Sequence, residues 1–383
     1  MSKKIKLLCV GIGGYANIYM RAFFKDENPN YEIVGAVDPF AEGCESYPKL
    51  IEAKVPFYDS MEDFYRERSA DLAIITTPIH FHTRQILTAL ENGSNVMCEK
   101  PLSGVSADAE IIEQKAKEVG KFVMIGYQWS YCKPILDLKA DVISGELGAP
   151  VFFKTLILWP RKEEYFKRGS GWAGKLRASD GSIINDSVAS NACAHYIHNM
   201  LFVAGEEYLS AEACEVKADL LRVNNIENFD NATIRFKLSS GGECLFVAGH
   251  SSLENVNPSF EYEFENATVK FSEDTKDIVA YFKDGRVKNY GAPDTASSPD
   301  KIFFAIKACE NNGYKPVCSP HTAAAHTRCI EAVQTFPIYS VNEEFLQKKG
   351  SLIYINGFTE LMKRCYNDKK MLSETEDFER LVK

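Results

Sequence analysis

The stretch Gly11-Ile12-Gly13-Gly14-Tyr15-Ala16 constrains this chain more than any other. It follows an apolar run, Ile5 to Val10, that reads as a strand, and it opens a segment in which Ile18, Ala22 and Phe23 share one helical face. The pattern is G-x-G-x-x-A between a strand and a helix. Gly11 permits a tight turn, Gly13 lets backbone come close to a ligand, and Ala16 is small enough for the helix to pack on the strand. The unpaired N–H groups of the helix start, in a turn that also holds Gly14 and Tyr15, make a seat for phosphates. A second strand, Tyr31 to Val37, ends in Asp38, 22 positions after Ala16, where an acidic group binds ribose hydroxyls. The residues after Asp38 are Pro39-Phe40-Ala41-Glu42, which offer no cation to a 2′-phosphate. The pattern therefore predicts NAD in preference to NADP as cofactor.

Strands and helices go on alternating to about Tyr127, which predicts a parallel, doubly wound sheet. Asp71 to Thr76 reads as a strand and leads into Thr77-Pro78, with His80 and His82 at the following helix start. His82 is expected to pack that helix start or touch the cofactor. With no carboxylate or cysteine at matching spacing, no metal site is predicted. The run Val96-Met97-Cys98 reads as a buried strand that ends in Glu99-Lys100-Pro101. Proline cannot continue the ladder, so these charges fall at the carboxyl end of a strand, where open α/β sheets carry their ligand crevice. On those residues alone, a surface Glu-Lys pair fits equally well.

Beyond this point the pattern changes, giving a first domain over residues 1–126 and a second over 127–383. The second begins with a helix from Pro134 to Ser144 and a strand from Val151 to Trp159. An irregular stretch from Pro160 to Ser190 then holds Arg161, Tyr165, Arg168 and Trp172, aromatics and cations that suit a binding loop. A helix from Asn191 to Gly205 carries His195 and His198, three positions apart, with Asn191 one turn before His195. Strand-like segments between 207 and 282 predict an antiparallel sheet, and helical patterns near 300–312, 320–335 and 351–366 close the chain.

The net charge of −9 comes without any sizeable basic cluster, which argues against nucleic acid and anionic membranes as partners. No apolar run approaches a membrane span. The opening lysines and apolar run stop at Gly11, too soon for a signal peptide. Eleven cysteines, an odd count with no C-x-x-C pair, read as apolar core residues of a cytoplasmic protein.

Together, Gly11 to Ala16, Asp38, Thr77-Pro78 with His82, Glu99-Lys100-Pro101, Gly126-Tyr127 and His195-x-x-His198 closing at Gly205 resemble the Gfo/Idh/MocA oxidoreductase family. The resemblance implies a Rossmann domain, then a domain with a large, mostly antiparallel sheet flanked by helices, through which homodimers or homotetramers form. It also implies cofactor contacts from Thr77, Pro78, His82, Glu99 and Lys100, and makes Lys100 and His195 the catalytic residues. Many members carry Asp where this chain has Asn191 and His198, which takes charge away from any relay through those positions. The expected reaction is hydride exchange between nicotinamide and a secondary hydroxyl of a sugar, polyol, cyclitol or glycoside. Lys100 would polarise the carbinol and His195 serve as acid/base. Tyr127, Arg161, Tyr165, Trp172, Asn191 and His198 are the expected substrate contacts. Two rival readings stay open: a glycoside-cleaving enzyme that recycles its NAD, and a non-catalytic NAD-bound sensor or scaffold.

Overall fold

The computed structural model of the protein describes residues 4–27, 29–167, 171–272, 274–294, 298–311 and 313–382. Arg168 lies outside them. The described residues form two compact units. The first draws on Met1–Ser103, Ala107–Tyr131 and Asp294–Ala324; the second on Gly104–Ser106, Cys132–Pro293 and Ala325–Lys383. A single break after residue 126, as expected from the sequence, leaves out the return of 294–324 to the first unit. The physical reason lies in an apolar face. Helix Asp300–Ala308 buries Ile302, Ala305 and Ile306, and Phe303 packs edge-on against Phe23 at 6.2 Å. Further on, the Cys318 carbonyl accepts the Ile125 N–H at 2.9 Å.

The first unit is built on six parallel strands: β1 (Ile5–Val10), β2 (Tyr31–Val37), β3 (Phe57–Tyr58), β4 (Leu72–Ile75), β5 (Asn95–Cys98) and β6 (Val123–Ile125). They lie in the order β3-β2-β1-β4-β5-β6, every neighbouring pair parallel. That is the Rossmann order, with its switch point between β1 and β4. Helix α1 (Ala16–Phe23) follows β1. Strand β4 is buried along its whole length and β1 over its last four residues, as expected of a parallel sheet covered on both faces. The ends of β1, β2, β4 and β5 thus bring the glycine turn, Asp38, Thr77-Pro78 and Glu99-Lys100-Pro101 to one edge of the sheet.

The second unit holds a sheet of nine strands, mostly antiparallel, with two parallel pairs, Glu243–Gly249 beside Pro150–Leu158 and Ile338–Ser340 beside Ala213–Arg222. Leu156, Leu158, Leu245 and Val247, alternate residues of two neighbouring strands, meet Phe358, Leu361 and Met362 in one buried cluster. Two sequence expectations change here. The segment 351–366 is not one helix: Leu352–Ile355 is a hairpin strand, and Gly357, at φ +74°, starts the helix Phe358–Asn367. The helix expected from Asn191 runs only over Ala194–Val203, after a π-turn at Val188–Ala192. A sequence period of 3.6 does not distinguish the two windings over so short a run.

Candidate functional site

The glycine turn has the backbone its sequence requires. Gly11 sits at φ +78°, and a Cβ there would stand 3.2 Å from both Thr76 and Thr77. Gly14 turns at φ +58°, with open space where a side chain would project. A Cβ on Gly13 would come within 3.0 Å of the Cys44 sulfur. Ala16, first residue of α1, is fully buried. The turn is bound on two sides. Thr76 donates its hydroxyl to the Gly11 carbonyl at 2.6 Å, and Asp38 Oδ2 accepts the Ile12 N–H at 3.0 Å. The other Asp38 oxygen accepts the Phe40 N–H at 2.9 Å. Asp38 therefore organises the glycine turn as well as offering a carboxylate at the end of β2.

His82 is buried, with one ring nitrogen 2.9 Å from the Thr77 carbonyl and the other 2.9 Å from the Pro101 carbonyl. It straps the Thr77-Pro78 corner to the Glu99-Lys100-Pro101 corner. Burial outweighs the attraction of those carbonyls for a proton and lowers its pKa. This is the helix-start packing that the sequence offers as one of two readings of His82. The Lys100-Pro101 peptide bond is cis, and Lys100 itself is half-buried.

Glu99 is buried and densely held. Oε1 pairs with the Lys301 ammonium at 2.7 Å and accepts the Tyr19 hydroxyl, while Oε2 takes the Lys100 N–H at 3.3 Å. Sequence reasoning missed Lys301 and Tyr19. The signal for Lys301 was present: it shares its helix face with Ala305 and Ala308, an apolar stripe where a lysine is out of place without a partner. Tyr127 buries its ring completely in this unit.

The expected residues of the second unit separate into half-buried and buried groups. Arg161, Tyr165 and Trp172 are half-buried, with the Arg161 guanidinium 4.7 Å from the Tyr165 ring centre. His195, second residue of its helix, is half-buried. Asn191 donates to Asp186 Oδ1 at 2.8 Å, and Asp186, itself buried, also accepts the Gly174 N–H at 2.5 Å. A carboxylate thus does reach Asn191, supplied five residues upstream, a pairing that no helical spacing announces.

His198 lies in the core instead of on a surface, 1% exposed and stacked on Phe202 at 5.7 Å. A single helical face cannot present both His195 and His198 when the helix is buried nearly all round. Burial first, then the charges of His326 and Lys139, hold its pKa well below the ordinary histidine value. The unfolded chain then takes up a proton below about pH 6.5 that folded His198 refuses, so this residue's effect on stability is lost as pH falls. Urea midpoints at pH 7.5 and 5.5 are expected to separate more for wild type than for His198→Phe. Equal separations would show that His198 carries none of the acid sensitivity.

The first unit is by its strand order and turn an NAD-binding type of Rossmann fold. Residues 5–127 match the model of the GFO_IDH_MocA oxidoreductase family, NAD-binding Rossmann fold. Scyllo-inositol 2-dehydrogenase (NAD(+)) of Bacillus subtilis is 31% identical over 199 residues, 51% of this chain and 55% of that protein. Inositol 2-dehydrogenase of Salmonella typhimurium is 28% identical over 148 residues, 38% of this chain and 44% of its own length. The chain therefore spans about half the length of these curated relatives. Among solved structures, the WlbA dehydrogenase of Chromobacterium violaceum, in complex with NADH and UDP-GlcNAcA, superimposes with a TM-score of 0.71. It covers 88% of this chain and 94% of its own at 20% identity, a likeness of fold. Among the described residues no helix is long and apolar enough to cross a membrane, and no cluster of three or more His, Cys, Asp or Glu could hold a metal.

Proposed function

We propose that this protein is an NAD-dependent dehydrogenase of a secondary hydroxyl on a cyclitol, sugar or related polyol, working in the cytoplasm as a homo-oligomer. One observation carries the reading: the glycine turn, Asp38 and Glu99-Lys100-Pro101 all leave the same end of one parallel sheet, the glycine turn at its switch point. The residues fit the cofactor. Gly11 and Gly14 hold backbone angles that open the turn, α1 starts immediately after it, and Asp38 follows the last residue of β2. Phe40, 78% exposed just beyond Asp38, supplies no charge for a 2′-phosphate, which favours NAD over NADP.

Bound NAD supplies the hydride acceptor; the protein's part is orientation and proton handling. Lys100 holds the carbinol oxygen and the negative charge that develops on it. His195 takes the hydroxyl proton in the oxidative direction and returns it in the reductive one. Arg161, Tyr165 and Trp172 offer aromatic faces and a hydrogen-bonding cation to a ring with several hydroxyls. The second unit is the proposed substrate-binding and oligomerising part. The names of the inositol dehydrogenase relatives support a cyclitol or sugar as the class.

A panel of inositols, hexoses and sugar nucleotides, assayed with NAD and with NADP for absorbance of the reduced cofactor, tests the reading. Expected is turnover on at least one cyclitol or sugar with NAD preferred. Glycoside cleavage without net NADH would move the assignment to a cofactor-recycling enzyme. NAD binding with no turnover on any member would move it to a sensor.

A further inference from the structure

Arg161 opens the loop that follows the strand Pro150–Leu158, and its backbone is pinned there. Its N–H donates to the His250 carbonyl at 3.0 Å, the Trp159 N–H donates to the Gly249 carbonyl at 2.9 Å, and a His250 ring nitrogen lies 2.8 Å from the Trp159 carbonyl. The side chain is half-buried, and its Nε–H is buried with no hydrogen-bond acceptor among the described residues. What the guanidinium does meet is aromatic. Its Cζ stands 4.7 Å from the centre of the Tyr165 ring and 5.7 Å from that of Trp159. A ring answers the positive charge, but it gives no lone pair to N–H groups that lie in the guanidinium plane. The two carboxylates nearest in sequence are engaged elsewhere: Glu163 pairs with Lys167 at 2.6 Å, and Glu164 accepts the Ser351 hydroxyl at 2.8 Å.

A buried donor without an acceptor is costly and calls for an explanation. The acceptor that matches a planar fork of N–H groups is a group with two or more oxygens sharing a negative charge, as in a carboxylate or a phosphate. A neutral hydroxyl offers one oxygen and no charge. The loop also favours an anion by its composition. Residues 160–175 hold five Lys and Arg against two Glu, in a chain whose net charge is −9. A positive segment in an acidic chain concentrates anions locally. We infer that Arg161 is a specificity-determining residue that binds an anionic group, carboxylate or phosphate monoester, carried by the sugar or cyclitol substrate. The inference rests on the dehydrogenase reading above and narrows it, from neutral polyols to sugar acids and sugar phosphates.

The test reads the guanidinium itself. In the full chain labelled with 15N, with NAD present, the Arg161 Nε–H resonance is assigned by its loss in Arg161→Lys. It is then titrated with glucuronate, with glucose 6-phosphate and, as the uncharged member of both pairs, with glucose. At least one charged sugar is expected to move the Arg161 signal and to bind about tenfold more tightly than glucose. A response to glucuronate marks a carboxylate site, and a response to glucose 6-phosphate a phosphate site. Arg161→Gln, followed by calorimetry with the same ligands, is expected to lose the preference for the charged sugar. The inference is overturned if neither charged sugar moves the Arg161 signal, if glucose binds as tightly as both, or if folded Arg161→Gln keeps the preference. Should Arg161→Gln fail to fold, the wild-type titration decides alone. Failure of the dehydrogenase reading looks different: no member of the substrate panel turns over, while Arg161 still responds to the anion.

Discussion

Lys100→Met is expected to reduce hydride transfer on the true substrate by about a hundredfold to a thousandfold while leaving NAD affinity within a few-fold of wild type. The size follows from the role proposed for the ammonium. As the hydroxyl proton leaves, the carbinol oxygen gathers negative charge, and a donor already in place stabilises that charge without reorganisation. Methionine keeps the length and the apolar stem of lysine but donates nothing. Arginine is not a conservative replacement: its planar fork delivers charge over a wider and differently shaped front, so Lys100→Arg is expected to recover only a small part of the rate. NAD affinity should hold because the turn, Asp38 and the Thr76 and Ile12 hydrogen bonds that shape the cofactor seat involve other residues. Single-turnover absorbance at the reduced-cofactor band separates the chemical step from cofactor binding. A variant that keeps its transfer rate within about threefold would remove Lys100 from the reaction.

The parts of this molecule that could be read in advance are those whose physics is local. A glycine forced to positive φ, an acidic residue at the end of the second strand and a proline that stops the fifth all act within a few residues of themselves. So the glycine turn, Asp38 and Glu99-Lys100-Pro101 fall where their spacing put them. What escaped is held by pairings over long separations. Lys301 meets Glu99 across about 200 positions, and segment 294–324 returns to the first unit after the whole nine-stranded sheet. Asp186 and Asn191 are close in sequence but joined through a π-turn, so no helical period relates them. The burial of His198 was illegible for the opposite reason. Its helix is apolar on nearly every side, and a periodicity argument needs a polar face to say which histidine points outward. The same blindness covers the join at Gly357, where one left-handed residue divides a strand from a helix inside a stretch of uniform composition.

His195→Gln is expected to lower kcat/KM by about a hundredfold to ten-thousandfold, the usual contribution of a positioned acid/base group, and to change the pH dependence along with the rate. Glutamine keeps a donor and an acceptor at similar reach but cannot take a proton, so only the proton transfer is removed. On the mechanism proposed above, the oxidative reaction of the wild type needs neutral imidazole. Its kcat/KM should therefore fall as pH drops and the imidazole takes up a proton. In the variant that acid limb should flatten, leaving a slow and nearly pH-independent reaction. The surroundings of His195 make the comparison clean. It is half-buried at the second position of its helix, while the turn before it is fixed separately, by the Ser187 and Ser190 hydrogen bonds and by Asn191 on Asp186. A change confined to the imidazole leaves that scaffold in place. An acid limb that survives intact in His195→Gln would assign the proton to another group. Asn191→Ala would then separate a displaced relay from none at all, since it breaks the link to the Asp186 carboxylate without touching the histidine.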